Sequence, residues 1–196
     1  YSKKIIDFSN RLLVKQKHIY LSSDRIFGKI NKPIYISSKP RPIDPYGILK
    51  ARYEKYLIKN LKIKNIIIVR STNIYGPGQK SKQFIPNIIS QIQHENKNIR
   101  VGNLENYRDY IYISDVCSAL LKIKNQKNTK KLCFFHLSNT KVKLSKIVKI
   151  IKDYFHKKNI ILNFSQSHNL QRNNKYELGN FKLLRYRTSK SLNWYP

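Results

Sequence analysis

The sequence predicts an α/β fold: a parallel sheet doubly wound with helices. Three observations lead there. Asn65 to Arg70 is an apolar, β-branched run, the pattern of a strand covered on both faces. Helical and strand-like segments alternate along the chain, which favours parallel strands joined by right-handed crossovers. Serines close the first strand, and Tyr75-Gly76-Pro77-Gly78 follows the second. Polar and turn residues therefore gather at the carboxyl edge, where such sheets bind ligands.

The elements follow in order. Residues 3–17 carry Ile5, Phe8, Leu12 and Leu13 at helical spacing. His18 to Leu21 is a short strand running into Ser22 and Ser23. Residues 29–45 hold Lys, Pro and Ser, and the prolines discourage regular structure. Asp44 is placed to cap the next helix and Pro45 suits its first turn. That helix runs to about Asn60, with Leu49, Tyr53, Tyr56 and Leu57 expected on one face. After the 65–70 strand come a helix at 83–95 and strands at Ile99 to Gly102 and Tyr110 to Ile113. Ser114 is expected to cap a helix reaching Lys124. A strand at Leu132 to Leu137, a helix at Leu144 to Phe155 and a strand at Ile160 to Phe164 complete the pattern.

Composition narrows the class. The chain has 196 residues, 40% of them hydrophobic, enough for one sizeable core. Its net charge of +30 raises nucleic acid as a partner. The lysines are spread along the whole chain, however, and no zinc finger, helix-turn-helix or RNP-type aromatic string accompanies them. Drift towards Lys, Asn and Ile explains the charge better, so nucleic acid is not the expected partner. Cys117 and Cys133 have neither Cys-x-x-Cys spacing nor a neighbouring histidine, so no metal site is expected and a reduced, cytoplasmic setting fits. No apolar run is long enough to cross a bilayer. The sequence contains no methionine and stops at Trp194-Tyr195-Pro196, so it reads as a fragment of a longer protein.

Candidate chemistry centres on Tyr46 and Lys50. Tyr-x-x-x-Lys occurs four times, starting at Tyr35, Tyr46, Tyr154 and Tyr186. Only Tyr46 opens a plausible helix between a serine-ended strand and a strand with a glycine-rich exit. At i and i+4 the two side chains share a helix face. A nearby ammonium is expected to stabilise the phenolate and lower a pKa that is ordinarily about 10. Tyr46 then exchanges a proton with a sugar hydroxyl or carbonyl, Lys50 bonds a ribose, and Ser23 shares the substrate proton. Asn73 reads either as a turn residue or as an amide contact to a sugar or phosphate. Arg108 reads either as a surface partner of Asp109 or as a guanidinium for a pyrophosphate.

Taken together, Ser22-Ser23-x-x-Ile26-Phe27-Gly28, Pro45-Tyr46-Gly47-x-x-Lys50, Asn73-Ile74-Tyr75-Gly76-Pro77-Gly78 and Arg108-Asp109-Tyr110-Ile111-Tyr112-Ile113-x-Asp115 are highly specific. The chain resembles the extended short-chain dehydrogenase/reductase family, the NAD-dependent epimerases and dehydratases of nucleotide sugars. The resemblance reaches Leu192-Asn193-Trp194-Tyr195-Pro196, similar to the family's Leu-Gly-Trp-x-Pro. It implies a partial Rossmann-type sheet lacking its first strands, with a small C-terminal α+β substrate domain. Residues 1–78 would be the second half of the dinucleotide-binding domain with the catalytic helix. Residues 79–196 would be mainly the substrate-binding part, with interleaved Rossmann elements.

The resemblance also implies roles. Ser23, Tyr46 and Lys50 would form the catalytic triad, with Tyr46 and Lys50 touching the nicotinamide ribose of NAD or NADP. Ser23, Asn73 and Arg108 would hold a nucleotide-diphosphate sugar, and a homodimer would form through the Tyr46 helix. The family's glycine-rich first turn does not occur in these residues, so the chain by itself is expected to bind NAD poorly. Family dehydratases carry a glutamate where Arg25 stands, although Asp24 is present beside it. Val101-Gly102-Asn103-Leu104 looks like the branch handling GDP-mannose derivatives. Both favour an epimerase or 4-keto-sugar reductase over a dehydratase. A basic nucleic-acid binder and a non-catalytic remnant of such an enzyme remain the alternatives.

Overall fold

The computed structural model describes residues 17–29, 34–35, 37–60, 66–80, 82–94, 97–127 and 131–166. The helix expected over 3–17, apart from Lys17, and the 189–196 tail lie outside them. The described elements are β1 (His18–Ser23), a 3-10 turn (Asp24–Phe27), α1 (Pro45–Asn60), β2 (Ile66–Ser71), β3 (Asn73–Tyr75), α2 (Phe84–Gln93), β4 (Asn98–Val101), β5 (Tyr107–Tyr112), α3 (Ile113–Asn125), β6 (Leu132–Leu137), β7 (Thr140–Lys143), α4 (Leu144–His156) and β8 (Asn163–Gln166).

The main sheet has the order β1-β2-β6, parallel throughout, with β2 in the centre. Every residue of β2 is buried, as a strand covered on both faces requires. Alternation of its side chains divides the core in two. Ile67 and Val69 pack with Val116, Ala119 and Ile123 of α3. Ile66 and Ile68 pack with Leu57 of α1 on the other face. Ser23, Ser71 and Leu137 are in register at the carboxyl edge. A second sheet pairs β3 parallel and β7 antiparallel to β5. A third pairs β4 with β8, above a cluster of Ile88, Ile99, Val101 and Val148.

Several expectations are corrected. The face proposed for α1 divides: Leu57 is fully buried and Tyr53 packs beside it, whereas Leu49 is 66% exposed and Tyr56 is exposed too. Apolar residues surround this helix, so its spacing did not single out a buried side. Ser114 caps nothing, because β5 runs directly into α3 with Tyr112 at the cap position and no side-chain cap bond. The last strand begins at Asn163 rather than Ile160, because Leu162 is the residue buried there while Ile160 and Ile161 are exposed. β7 went unrecognised. Its Thr-Lys-Val-Lys sequence is polar, and partnership with β5 makes it a strand. No helix among the described residues is long and apolar enough to cross a membrane.

Candidate functional site

β1 delivers Ser23 to the carboxyl edge in an extended conformation, φ −142° and ψ 152°. There the chain tightens into the 3-10 turn. The Ser23 hydroxyl accepts a hydrogen bond from the Arg25 backbone N–H at 3.2 Å and donates to Asp24 Oδ1 at 3.1 Å. α1 begins nearby, capped as expected: Asp44 Oδ1 accepts from the Gly47 N–H at 3.1 Å. Gly47 is required here, since a Cβ would lie 2.4 Å from the Arg25 carbonyl oxygen. The helix thus starts pressed against the serine turn, with Tyr46 in its first turn and Lys50 one turn on.

Lys50 reaches back to the sheet. Its Nζ donates to the Leu21 carbonyl at 2.9 Å and lies 4.9 Å from the Tyr20 ring centroid and 5.7 Å from that of Tyr46. The fold therefore gathers the Ser23 turn, Tyr46 and Lys50 at one end of β1. Tyr46 remains about half exposed, open to a ligand.

The electrostatics correct one expectation. The Tyr46 phenol has its pKa raised rather than lowered. Partial burial is the largest cause, and Asp24 and Asp44 add to it, while the neighbouring Ser23 hydroxyl and the charge of Arg25 pull the other way. Lys50 is not among these influences. Its ammonium sits over the ring face and bonds Leu21, and its own pKa is lowered by partial burial against the pull of Glu54.

Asn73 opens β3, and its Nδ2 donates to the Asp109 carbonyl at 3.0 Å. It belongs to a short strand rather than a turn. Arg108 is partly exposed, and its Nη1 donates to the Tyr107 carbonyl at 2.8 Å. Asp109 is buried and accepts from Thr72 Oγ1 at 3.2 Å and from the Asn139 N–H at 3.0 Å. Asp109 is tied to the carboxyl edge of the main sheet through Thr72, the residue after β2, and Arg108 and Asp109 both act electrostatically on Asp24.

The sequence marks Asp24 only as the acid beside Arg25 and gives it no role, although its place next to Ser23 is a signal. It is buried, and its carboxyl is pushed up to about 7. Burial is the main cause and Asp109 adds to it; the Ser23 hydrogen bond, Arg25 and Arg108 oppose it. A carboxyl held near neutrality beside a serine hydroxyl can donate or accept a proton. Glu54 and Arg70 were also missed. They form a buried bidentate pair between α1 and β2, Nη2 to Oε2 2.8 Å and Nε to Oε1 3.2 Å.

Lys50 keeps donors for a hydroxyl-bearing ligand. One of the three ammonium donors is taken by Leu21, and Tyr46 offers an open phenol next to it. In the Tyr75-Gly76-Pro77-Gly78 turn, a Cβ on Gly76 would lie 2.4 Å from Ile113 Cγ2, so that glycine serves close packing with α3.

The NAD dependent epimerase/dehydratase family model matches residues 1–132. Human dTDP-D-glucose 4,6-dehydratase is 33% identical over 111 residues, covering 55% of this chain and 32% of the human protein. dTDP-4-dehydro-6-deoxyglucose reductase of Escherichia coli is 31% identical over 154 residues, covering 74% of this chain and 48% of that protein. The chain thus spans less than half the length of either. UDP-glucuronic acid 4-epimerase from Bacillus cereus, solved with UDP-glucuronic acid and NAD, superposes with a TM-score of 0.83 at 18% identity, over all of this chain and 60% of that one. The chain belongs to the NAD-dependent epimerase/dehydratase family.

Proposed function

We propose that the chain is part of an NAD(P)-dependent enzyme acting at a sugar carbon of a nucleotide-diphosphate sugar, as a 4-keto-sugar reductase or an epimerase. The observation that carries this reading is the meeting of the Ser23 turn, Tyr46 and Lys50 at the carboxyl end of β1. The nicotinamide, when bound, supplies or accepts the hydride. Tyr46 holds and moves the proton at the sugar oxygen through its phenol. Ser23, fixed by the Arg25 N–H, shares that proton. Lys50, fixed by Leu21, orients the nicotinamide ribose.

Asn73 and Arg108 take the nucleotide sugar. Asn73 keeps an amide oxygen for a hydroxyl, and Arg108 is a partly exposed guanidinium suited to a pyrophosphate. Arg25 argues against dehydration. It stands where family dehydratases hold a glutamate, and its guanidinium is bound to Asp44, so it offers no base for a C5 proton. The reductase relative also covers more of the chain than the dehydratase.

We further assign residues 1–78 to the dinucleotide-binding half and 79–196 mainly to the substrate-binding part. The exposed Leu49 and Tyr56 of α1, seven residues apart, support a homodimer contact. A cytoplasmic enzyme suits soluble sugar nucleotides, and nucleic acid is not proposed as a partner.

The test uses a longer form carrying the family's N-terminal strands, supplied with UDP-, dTDP- or GDP-sugars and NAD or NADP. Product mass separates the chemistries: two hydrogens gained for a reductase, no change for an epimerase, water lost for a dehydratase. Tyr46→Phe is expected to lower turnover by roughly 10²–10⁴-fold. Unchanged turnover would sink the role of Tyr46, and loss of water would overturn the choice of reaction.

A further inference from the structure

Ser23 and Tyr46 come from segments separated by the 29–45 loop. Something must hold the serine turn and the tyrosine helix together, and Arg25 makes the connection from both its backbone and its side chain. Its N–H donates to the Ser23 hydroxyl at 3.2 Å. Its guanidinium forks onto Asp44, with Nη2 3.0 Å from Oδ1 and Nε 3.1 Å from Oδ2. Asp44 in turn binds the Gly47 N–H in the first turn of α1.

The backbones close the same gap. The Arg25 carbonyl oxygen approaches Gly47 so nearly that a Cβ would meet it at 2.4 Å. The Arg41 N–H also donates to the Ile26 carbonyl at 2.8 Å, tying the chain just before α1 to the serine turn. The planar guanidinium meets both carboxylate oxygens, with an N–H···O bond from Nε and an ion contact from Nη2, and so fixes direction as well as distance, which one ammonium cannot do. Asp44 is almost fully buried. Its carboxyl is pushed up by burial, yet the bonds from Arg25 and Gly47 win and its pKa is lowered. It therefore stays charged and keeps its hold at neutral pH.

We propose that the Arg25–Asp44 ion pair is a latch that keeps the serine turn and the tyrosine helix at one spacing, making both positioning residues for proton transfer between Ser23 and Tyr46. This rests on the assignment of Tyr46 as the proton-transfer group. It also gives Arg25 a task of its own, beyond standing in place of a glutamate.

The experiment compares Arg25→Lys and Arg25→Gln in the 196-residue chain, using ¹³C-tyrosine NMR with the Tyr46 signal assigned through Tyr46→Phe. Lysine keeps the charge but loses the fork. A latch requires the Tyr46 titration to move upward in Arg25→Lys, because the Ser23 hydroxyl that lowers it is no longer held close, and further upward in Arg25→Gln, where the cation is lost too. Exchange of the Gly47 amide is expected to quicken several-fold in both. A native Tyr46 titration in Arg25→Lys overturns the proposal, since charge alone would then suffice. If Arg25→Gln fails to fold, Arg25→Lys decides by itself. Neither readout depends on turnover, so failure here is distinguishable from failure of Tyr46→Phe to impair the enzyme.

Discussion

Two arginine–carboxylate pairs hold α1, and they differ in a way that separates stability from alignment. Arg70 and Glu54 are both 4% exposed and pin the middle of the helix to β2. The Arg70 guanidinium also lies 5.1 Å from the Phe27 ring centroid and 4.6 Å from that of Phe134. Arg25 and Asp44 hold the helix start, and Arg25 is one-third exposed. Removing one member of a buried pair strands a charge without water. Removing one member of a partly hydrated pair lets solvent replace it. Only the arginine of the second pair is hydrated, since Asp44 is 3% exposed, so the middle of the helix is held by a wholly buried contact and its reactive end by one that water can replace on one side.

The comparison breaks most directly at Glu54. Glu54→Gln is expected to cost about 3–5 kcal/mol in urea unfolding, against a smaller loss of about 1–3 kcal/mol for Arg25→Gln, which leaves the buried Asp44 carboxylate with the Gly47 N–H but without its cation. Equal losses would show that burial does not distinguish the pairs. Replacing both Arg70 and Glu54 with Met and Leu should recover much of the loss, because no charge is then left unpaired.

Next in size is Gly47→Ala. The added methyl meets the Arg25 carbonyl oxygen, a backbone atom with no flexible end to swing away. A loss of about 1–3 kcal/mol is expected, together with a change in the Tyr46 titration. A stable Ala variant with a native Tyr46 titration would show that the close approach is dispensable.

The smallest net effect is on pH dependence, where two buried groups oppose each other. Asp24 is raised from 3.8 to about 7, so the fold binds a proton that the unfolded chain releases between these values. Its contribution makes the fold more stable as pH falls through 7 towards 4. His136 is lowered from 6.5 to about 3, first by burial and then by Arg70. Its contribution is present above 6.5 and is lost as pH falls towards 3. The slopes oppose between about 4 and 6.5. Asp24→Asn should remove the first and leave stability falling more steeply with acid across that window, measured by urea unfolding at several pH values. An unchanged profile would place the Asp24 titration elsewhere.

Much of the fold was legible because its signals are local. Six residues of β6 were placed to the residue, since Leu132 to Leu137 is apolar and bounded by polar chain. α1 was legible because Asp44, Pro45 and the apolar residues after them mark its start. Tyr46 and Lys50 stood out through their neighbours, not their spacing. β7 and the register of β8 were not legible, because each is set by a partner strand distant in sequence. Asp24 was not legible either. Nothing in Ser23-Asp24-Arg25 says that the aspartate is buried within reach of Asp109, since that proximity arises only when β1 and β5 are folded against the same edge.

The sequence alone determined the α/β class, the family and the order in which serine, tyrosine and lysine arrive, because periodicity and motif spacing are properties of the chain itself. Only the tertiary structure decided which arginine holds which carboxylate, which face of α1 is buried, and that the Tyr46 phenol is pushed up instead of down. Those outcomes depend on desolvation and on distances between segments, and neither exists until the segments meet.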